Sequence, residues 1–201
     1  MPSSPKIPKE QILDTALKML IRDGYAAINI KAVAQELNCS TQPISRCFGS
    51  MDGFRQELVR VAAEYVRRKM YPAEGNTYDD VREWGRVYLD IAIDEPHLFQ
   101  FICMGASGRL EKNGMWSWKD YAQNMKIMDK MMKKYSLTSE RAEEFMQTAI
   151  IYIHGMACLV ASSLVIENRE TVYQMLDDFC RNYLTALQLP CISSADSASY
   201  R

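Results

Sequence analysis

The chain has 201 residues, 48% hydrophobic and 24% charged, a soluble globular composition with apolar material for one ordinary domain or two small ones. No run of about 18 uncharged apolar residues occurs, which argues against a membrane span. The opening MPSSPKIPKE lacks the apolar stretch of a secretory signal, so a cytoplasmic location is expected. The net charge of −1 weighs against a nucleic-acid partner until the chain is divided. Residues 1–60 carry eight Lys/Arg against six Asp/Glu, and residues 61–201 carry sixteen against nineteen. The small basic excess lies at the front. The six cysteines (Cys39, Cys47, Cys103, Cys158, Cys180, Cys191) are scattered with no C-x-x-C pair, which reads as small apolar residues rather than a disulfide framework.

Every element reads as helix, about nine in all. Residues 1–8, with three prolines, read as a flexible arm. A first helix over 9–23 carries Ile12, Leu13, Ala16, Leu17, Leu20 and Ile21 as one stripe, and Gly24 stops it. Asn29 is placed to cap a second helix, in which Ile30, Val33, Ala34 and Leu37 share a face. Asn38 and Cys39 break the pattern, and Ser40 offers the next cap. A third helix over about 41–47 turns Ile44 and Phe48 inward and leaves Thr41, Gln42, Ser45 and Arg46 outside. Two short helices joined by a tight turn, the second displaying small polar groups and one arginine, suit the major groove of DNA.

Ser50 caps a fourth helix over 51–70. Helices are then expected over about 78–94, 96–104, 117–135, from Thr138 or Ser139 to about 167, and over 170–189, where Pro190 ends the last. GASGRLEKNG (105–114) reads as a loop and 190–201 as a disordered tail. The resulting division is an arm (1–8), a helix-turn-helix unit (9–50), a connecting helix (51–70), a rear helical bundle (71–189) and the tail.

Four segments match a known pattern in order: ILDTALKMLIRDGY (12–25), INIKAVAQELNCS (28–40), STQPISRCF (40–48) and SMDGF (50–54). Together they resemble the reading head of the TetR/AcrR family of bacterial transcriptional regulators, and IHGMA (153–157) is similar to a His-Gly segment in the eighth helix of some members. Gln42 stands where the family most often has glycine, Ser45 where it has a tyrosine that touches the DNA backbone, and Cys47 replaces another aromatic and reads as packing. The resemblance implies an all-α protein with an N-terminal helix-turn-helix and a C-terminal bundle for ligand binding and dimerisation. It also implies a homodimer on double-stranded DNA with a small-molecule effector, and no cofactor.

Gln42 and Arg46 can make bidentate bonds to adenine and guanine edges, while Thr41, Ser40 and Ser45 suit phosphate or a thymine methyl. Asn29 and Lys31, with Lys6 and Lys9, are phosphate candidates. Trp84, Tyr88, Phe101, Met104, Trp118, Tyr121, Met125, Tyr152 and His154 are candidates to line a ligand cavity, although for any one of them a place in the core is the simpler reading. Following the family's four-helix dimer bundle, Phe145, Ala149, Leu159, Tyr173, Leu176, Phe179 and Tyr183 are dimer candidates. His154 and Cys158, four apart, share a helix face, but a metal needs more than two ligands. A helical-bundle ligand-binding protein or enzyme without DNA binding stays as the alternative. It predicts a catalytic constellation, and with two histidines and no nucleophile motif none is visible.

Overall fold

A computed structural model describes residues 7–71, 78–105, 122–164 and 168–188. The described residues form nine α-helices and one 3-10 turn, with no strand among them: α1 Lys9–Asp23, the turn Tyr25–Ala27, α2 Ile30–Glu36, α3 Thr41–Phe48, α4 Met51–Met70, α5 Val81–Asp94, α6 Pro96–Cys103, α7 Ala122–Tyr135, α8 Ser139–Ala161 and α9 Arg169–Gln188. The chain is all-α, as read from sequence. Trp118, Tyr121, Cys191, the 190–201 tail and most of the 105–114 loop lie outside the described residues, as do residues 1–6 of the arm. Of the rest of the arm, Ile7 packs against the core and Pro8 sits at the N-cap of α1.

Four helix starts obey one rule. Asn29, Ser50, Thr138 and Asn168 each accept a bond from the backbone N–H three residues on, at Ala32, Gly53, Arg141 and Thr171. Ser40 breaks it. It stands at the N-cap of α3 in extended backbone, yet its hydroxyl makes no capping bond. The third helical residue is Pro43, which has no N–H to give, and so the exposed Ser40 hydroxyl is left without that role. Helix α5 starts at Val81 rather than 78, because the Asp80 carboxylate caps it through the Arg82 N–H at 3.1 Å.

Helix α8 ends at Ala161, six residues short of expectation. Leu164 N–H bonds Leu159 C=O and Ser163 N–H bonds Val160 C=O, with Ser163 at φ +55°, a Schellman closure made without glycine. The α2–α3 turn closes in the same way, with Asn38 at φ +50° and bonds from Asn38 to Gln35 and from Cys39 to Ala34.

Helices α1 to α3 and the start of α4 pack around Ile12, Leu20, Val33, Ile44 and Phe54. In the rear, α5 and α8 lie side by side with α6, α7 and α9 around them, enclosing Leu89, Phe99, Phe145 and Ile153. Gly85 sets the closeness of that packing: a Cβ there would stand 2.9 Å from Ile153 Cδ1 and 3.0 Å from Leu176 Cδ2. Among the described residues, α8 is the helix long and apolar enough in composition to cross a membrane. Phe145, Ile150, Ile153 and Met156 on its inner side belong to the protein's own core.

Front and rear meet along α4 and α6. Helix α6 packs on α1, α4, α5 and α8. The Tyr65 hydroxyl and the Lys69 ammonium of α4 both bond Glu95 Oε1, at the α5–α6 step, at 2.8 Å.

Candidate functional site

At the front, the α3 side chains sort by helical phase, about 100° per residue. Ile44 is fully buried and Phe48 lies edge-on to Phe54 with centroids 5.0 Å apart. Thr41, Gln42, Ser45 and Arg46 are exposed, and so are Asn29, Lys31 and Ser40. Arg46 and Lys31 make no ion pair among the described residues, which leaves their charge available to a phosphate or base. Asn29 uses Oδ1 for its cap, and the residue is exposed. Lys9 is engaged otherwise: Nζ lies 3.0 Å from Glu57 and 5.6 Å from the Phe48 ring centroid, tying α1 to α4 beneath the end of α3. Cys47 is exposed rather than packed, because on so short a helix Ile44 and Phe48 already fill the inward face.

The rear candidates divide into groups that spacing alone does not separate. Tyr88 stacks on Trp84 at 5.4 Å, meets Phe99 edge-on at 5.2 Å and shares a 2.9 Å hydrogen bond between its hydroxyl and His154 Nδ1. His154 Nε2 lies 3.4 Å from Cys158 Sγ. Burial disfavours the imidazolium and holds the His154 pKa below its usual value. Burial also pushes the nearby Cys103 thiol up to about 11, so that it stays protonated. A second chain of bonds runs from Trp84 Nε1–H to the Tyr71 hydroxyl (3.3 Å) and from there to Oδ1 of the buried Asn124 (2.8 Å). Met125 is half-buried on the neighbouring α7, and Met104 is exposed at the end of α6. Among the described residues no three of His, Cys, Asp and Glu converge as metal ligands.

Two ligand candidates belong elsewhere. The buried Phe101 stacks on Tyr25 of the front turn, with centroids at 4.8 Å. Tyr152 stacks on Phe179 of α9 at 4.0 Å, nearly parallel, and Phe179 in turn on Tyr183 at 5.7 Å. These three rings, with Met175, Asp178, Asn182 and Ala186, line an open groove on the outer side of α8 and α9. The dimer candidates split accordingly. Phe145, Ala149 and Leu176 are fully buried inside one chain. Tyr173 is turned inward, its ring under the Arg86 guanidinium and its hydroxyl on Asp90. Leu159, Phe179 and Tyr183 remain on the outside, with Ile151 and Met175, two residues that helical spacing did not single out because each neighbours inward-facing positions.

No family model matches the chain. It is 28% identical over 103 residues to the uncharacterized HTH-type transcriptional regulator YvkB of Bacillus subtilis, covering 46% of this chain and 54% of that protein, so the match spans about half of the relative's length. A crystal structure of a TetR variant from Acinetobacter baumannii in complex with minocycline superposes with a TM-score of 0.51 over 91% of this chain and 97% of that one, at 12% identity. The backbone therefore has the TetR fold, and the sequence likeness is to a helix-turn-helix regulator. Together they point to a TetR-like regulator.

Proposed function

We propose that the chain is a homodimeric transcriptional repressor that leaves a pseudo-palindromic operator when a small hydrophobic ligand binds its rear bundle. The observation that carries the proposal is α3: a two-turn helix anchored by buried Ile44, with Thr41, Gln42, Ser45 and Arg46 displayed together and unpaired to other described elements. In this reading residues 9–50 form the reading head, 51–70 the connecting helix and 71–189 the sensing and dimerising part, acting in the cytoplasm where the DNA is. A two-fold dimer would set its recognition helices in successive major grooves, roughly 34–36 Å apart.

The effector would lie against Trp84, Tyr88, Met125 and His154, a mostly apolar wall with the Tyr88 hydroxyl and His154 as its polar anchors. A ligand favouring a different pose of the bundle would draw the population away from the DNA-competent one.

The test is to select duplexes from a random pool with the purified protein and measure binding by fluorescence anisotropy. Gln42→Ala with Arg46→Ala should cost about 1–3 kcal/mol for each bidentate pairing with a base that is removed, and should relax preference at those positions. Lys31→Ala should weaken all sequences alike and lower the salt slope by about one. A double variant with unchanged affinity and unchanged sequence preference would defeat the assignment.

A further inference from the structure

Helix α6 spans eight residues, Pro96–Cys103, roughly 12 Å of rigid rod, and its two faces touch different ends of the protein. Phe99 meets Tyr88 edge-on and lies 6.2 Å from the His154 ring, in the rear cluster. Phe101, two residues on and so about 200° around the helix, stacks on Tyr25. Tyr25 belongs to the turn between α1 and α2, four residues before the Asn29 cap, and also carries the Arg55 guanidinium of α4 5.3 Å from its ring centroid. Next to it, Gly24 has φ +81° and ψ 169°, and a Cβ there would sit 3.2 Å from His97 Nδ1 at the start of α6. The seam is therefore tight at both Gly24 and Tyr25. A helix this short is close to a rigid rod between Phe99 and Phe101, so a shift of the helix itself moves both rings.

We infer that the Tyr25–Phe101 stack sets the pose of the reading head, and that Tyr25 and Phe101 are positioning residues for DNA binding although neither faces DNA. The inference rests on the DNA-binding reading above. It adds a route through α6 into the α1–α2 turn, parallel to the connecting helix α4. Because coupling between two sites is reciprocal, occupation of the head by DNA should be felt in the rear cluster, where Trp84 is stacked on Tyr88.

The experiment uses the full chain with the other two tryptophans replaced, Trp116→Phe and Trp118→Phe, and a duplex obtained by selection. Anisotropy of the labelled duplex reports binding, and Trp84 emission reports the rear cluster. Both signals should change with one midpoint, and Tyr25→Phe, which keeps the ring, should behave as the parent. Tyr25→Leu should bind roughly tenfold more weakly and lose the Trp84 response even at saturating duplex, with little change in melting temperature. His97→Ala, at an exposed position that cannot empty the core, loosens the same seam and should weaken binding roughly threefold, which covers the case of a poorly folded Tyr25→Leu. Parent-like affinity and emission change in both Tyr25→Leu and His97→Ala would overturn the inference, as would duplex binding by the parent with no change at Trp84. Absence of any anisotropy change in the parent would instead remove the DNA-binding reading, and this inference with it.

Discussion

Asp80 shows how one side chain can secure two helices. It is 2% exposed, caps α5 through the Arg82 N–H, and takes hydrogen bonds from the Arg82 guanidinium at 2.6 Å and the Tyr135 hydroxyl of α7 at 2.7 Å, with Lys134 at 3.3 Å. Burial opposes its charge, but the bonds from Arg82 and Tyr135 outweigh burial and bring its pKa down to about 2. A carboxylate whose folded pKa is depressed contributes stability that is complete above its ordinary value of 3.8 and is lost as pH falls toward 2. The shift corresponds to about 2 kcal/mol. Asp80→Asn should therefore lower stability by about that amount at pH 7 and remove the corresponding slope between pH 4 and pH 2, as read by urea unfolding at a series of pH values. If the variant kept the parent's acid limb, the knot would not be the source of that stability.

Between elements, the sharpest constraint is Gly53. A Cβ there would stand 2.4 Å from the Phe48 carbonyl oxygen, a backbone atom with no rotamer to change. The Ser50 cap, Gly53 and Phe48 together fix the angle at which α3 leaves α4. Gly53→Ala should cost about 1–3 kcal/mol or more and, if α3 reads DNA as proposed, weaken DNA binding further than the stability loss explains, because α3 must tilt. Ser50→Ala should cost about 1 kcal/mol and leave α3 in place. Equal melting temperatures for Gly53→Ala and the parent would show that the close approach relaxes freely. In the SMDGF motif this glycine carries no signal of its own, since a close approach between elements leaves no local mark.

The same limit explains which helix ends were legible. Those marked by a cap or Gly24, at α1, α2 and α4, fall within a residue of the sequence reading, because the signal is local chemistry. The end of α8 does not, because Ser163 takes a positive φ without being glycine. For the site, the exposed face of α3 was readable from its periodicity. The separation of Tyr152 and Phe101 from the Tyr88 cluster was not, since all three are aromatics on core helices and the difference lies in which neighbour each face meets.

At the scale of the whole molecule, the outer side of α8 and α9 is where a second copy would be held. Ile151 is 51% exposed, Leu159 45% and Met175 40%, beside the Tyr152–Phe179–Tyr183 ring stack, while the buried side of the same helices is complete without them. Large apolar side chains grouped on one face are the usual sign of a partner. A two-fold arrangement would set the α8 and α9 of each chain against those of the other. Phe179→Asp places a charge at the centre of that face, half-exposed in one chain, so the fold should survive and dimerisation should not. Sedimentation should then find a monomer where the parent, on this proposal, sediments as a dimer. Loss of the second head should weaken binding to a full operator by orders of magnitude while leaving binding to a single half-site, measured at low salt, near the parent's. The pair of measurements separates the roles of the two surfaces, because a variant of Gln42 and Arg46 should lose both sites together and stay dimeric. If Phe179→Asp sediments as the parent does, the groove between α8 and α9 is not the dimer face.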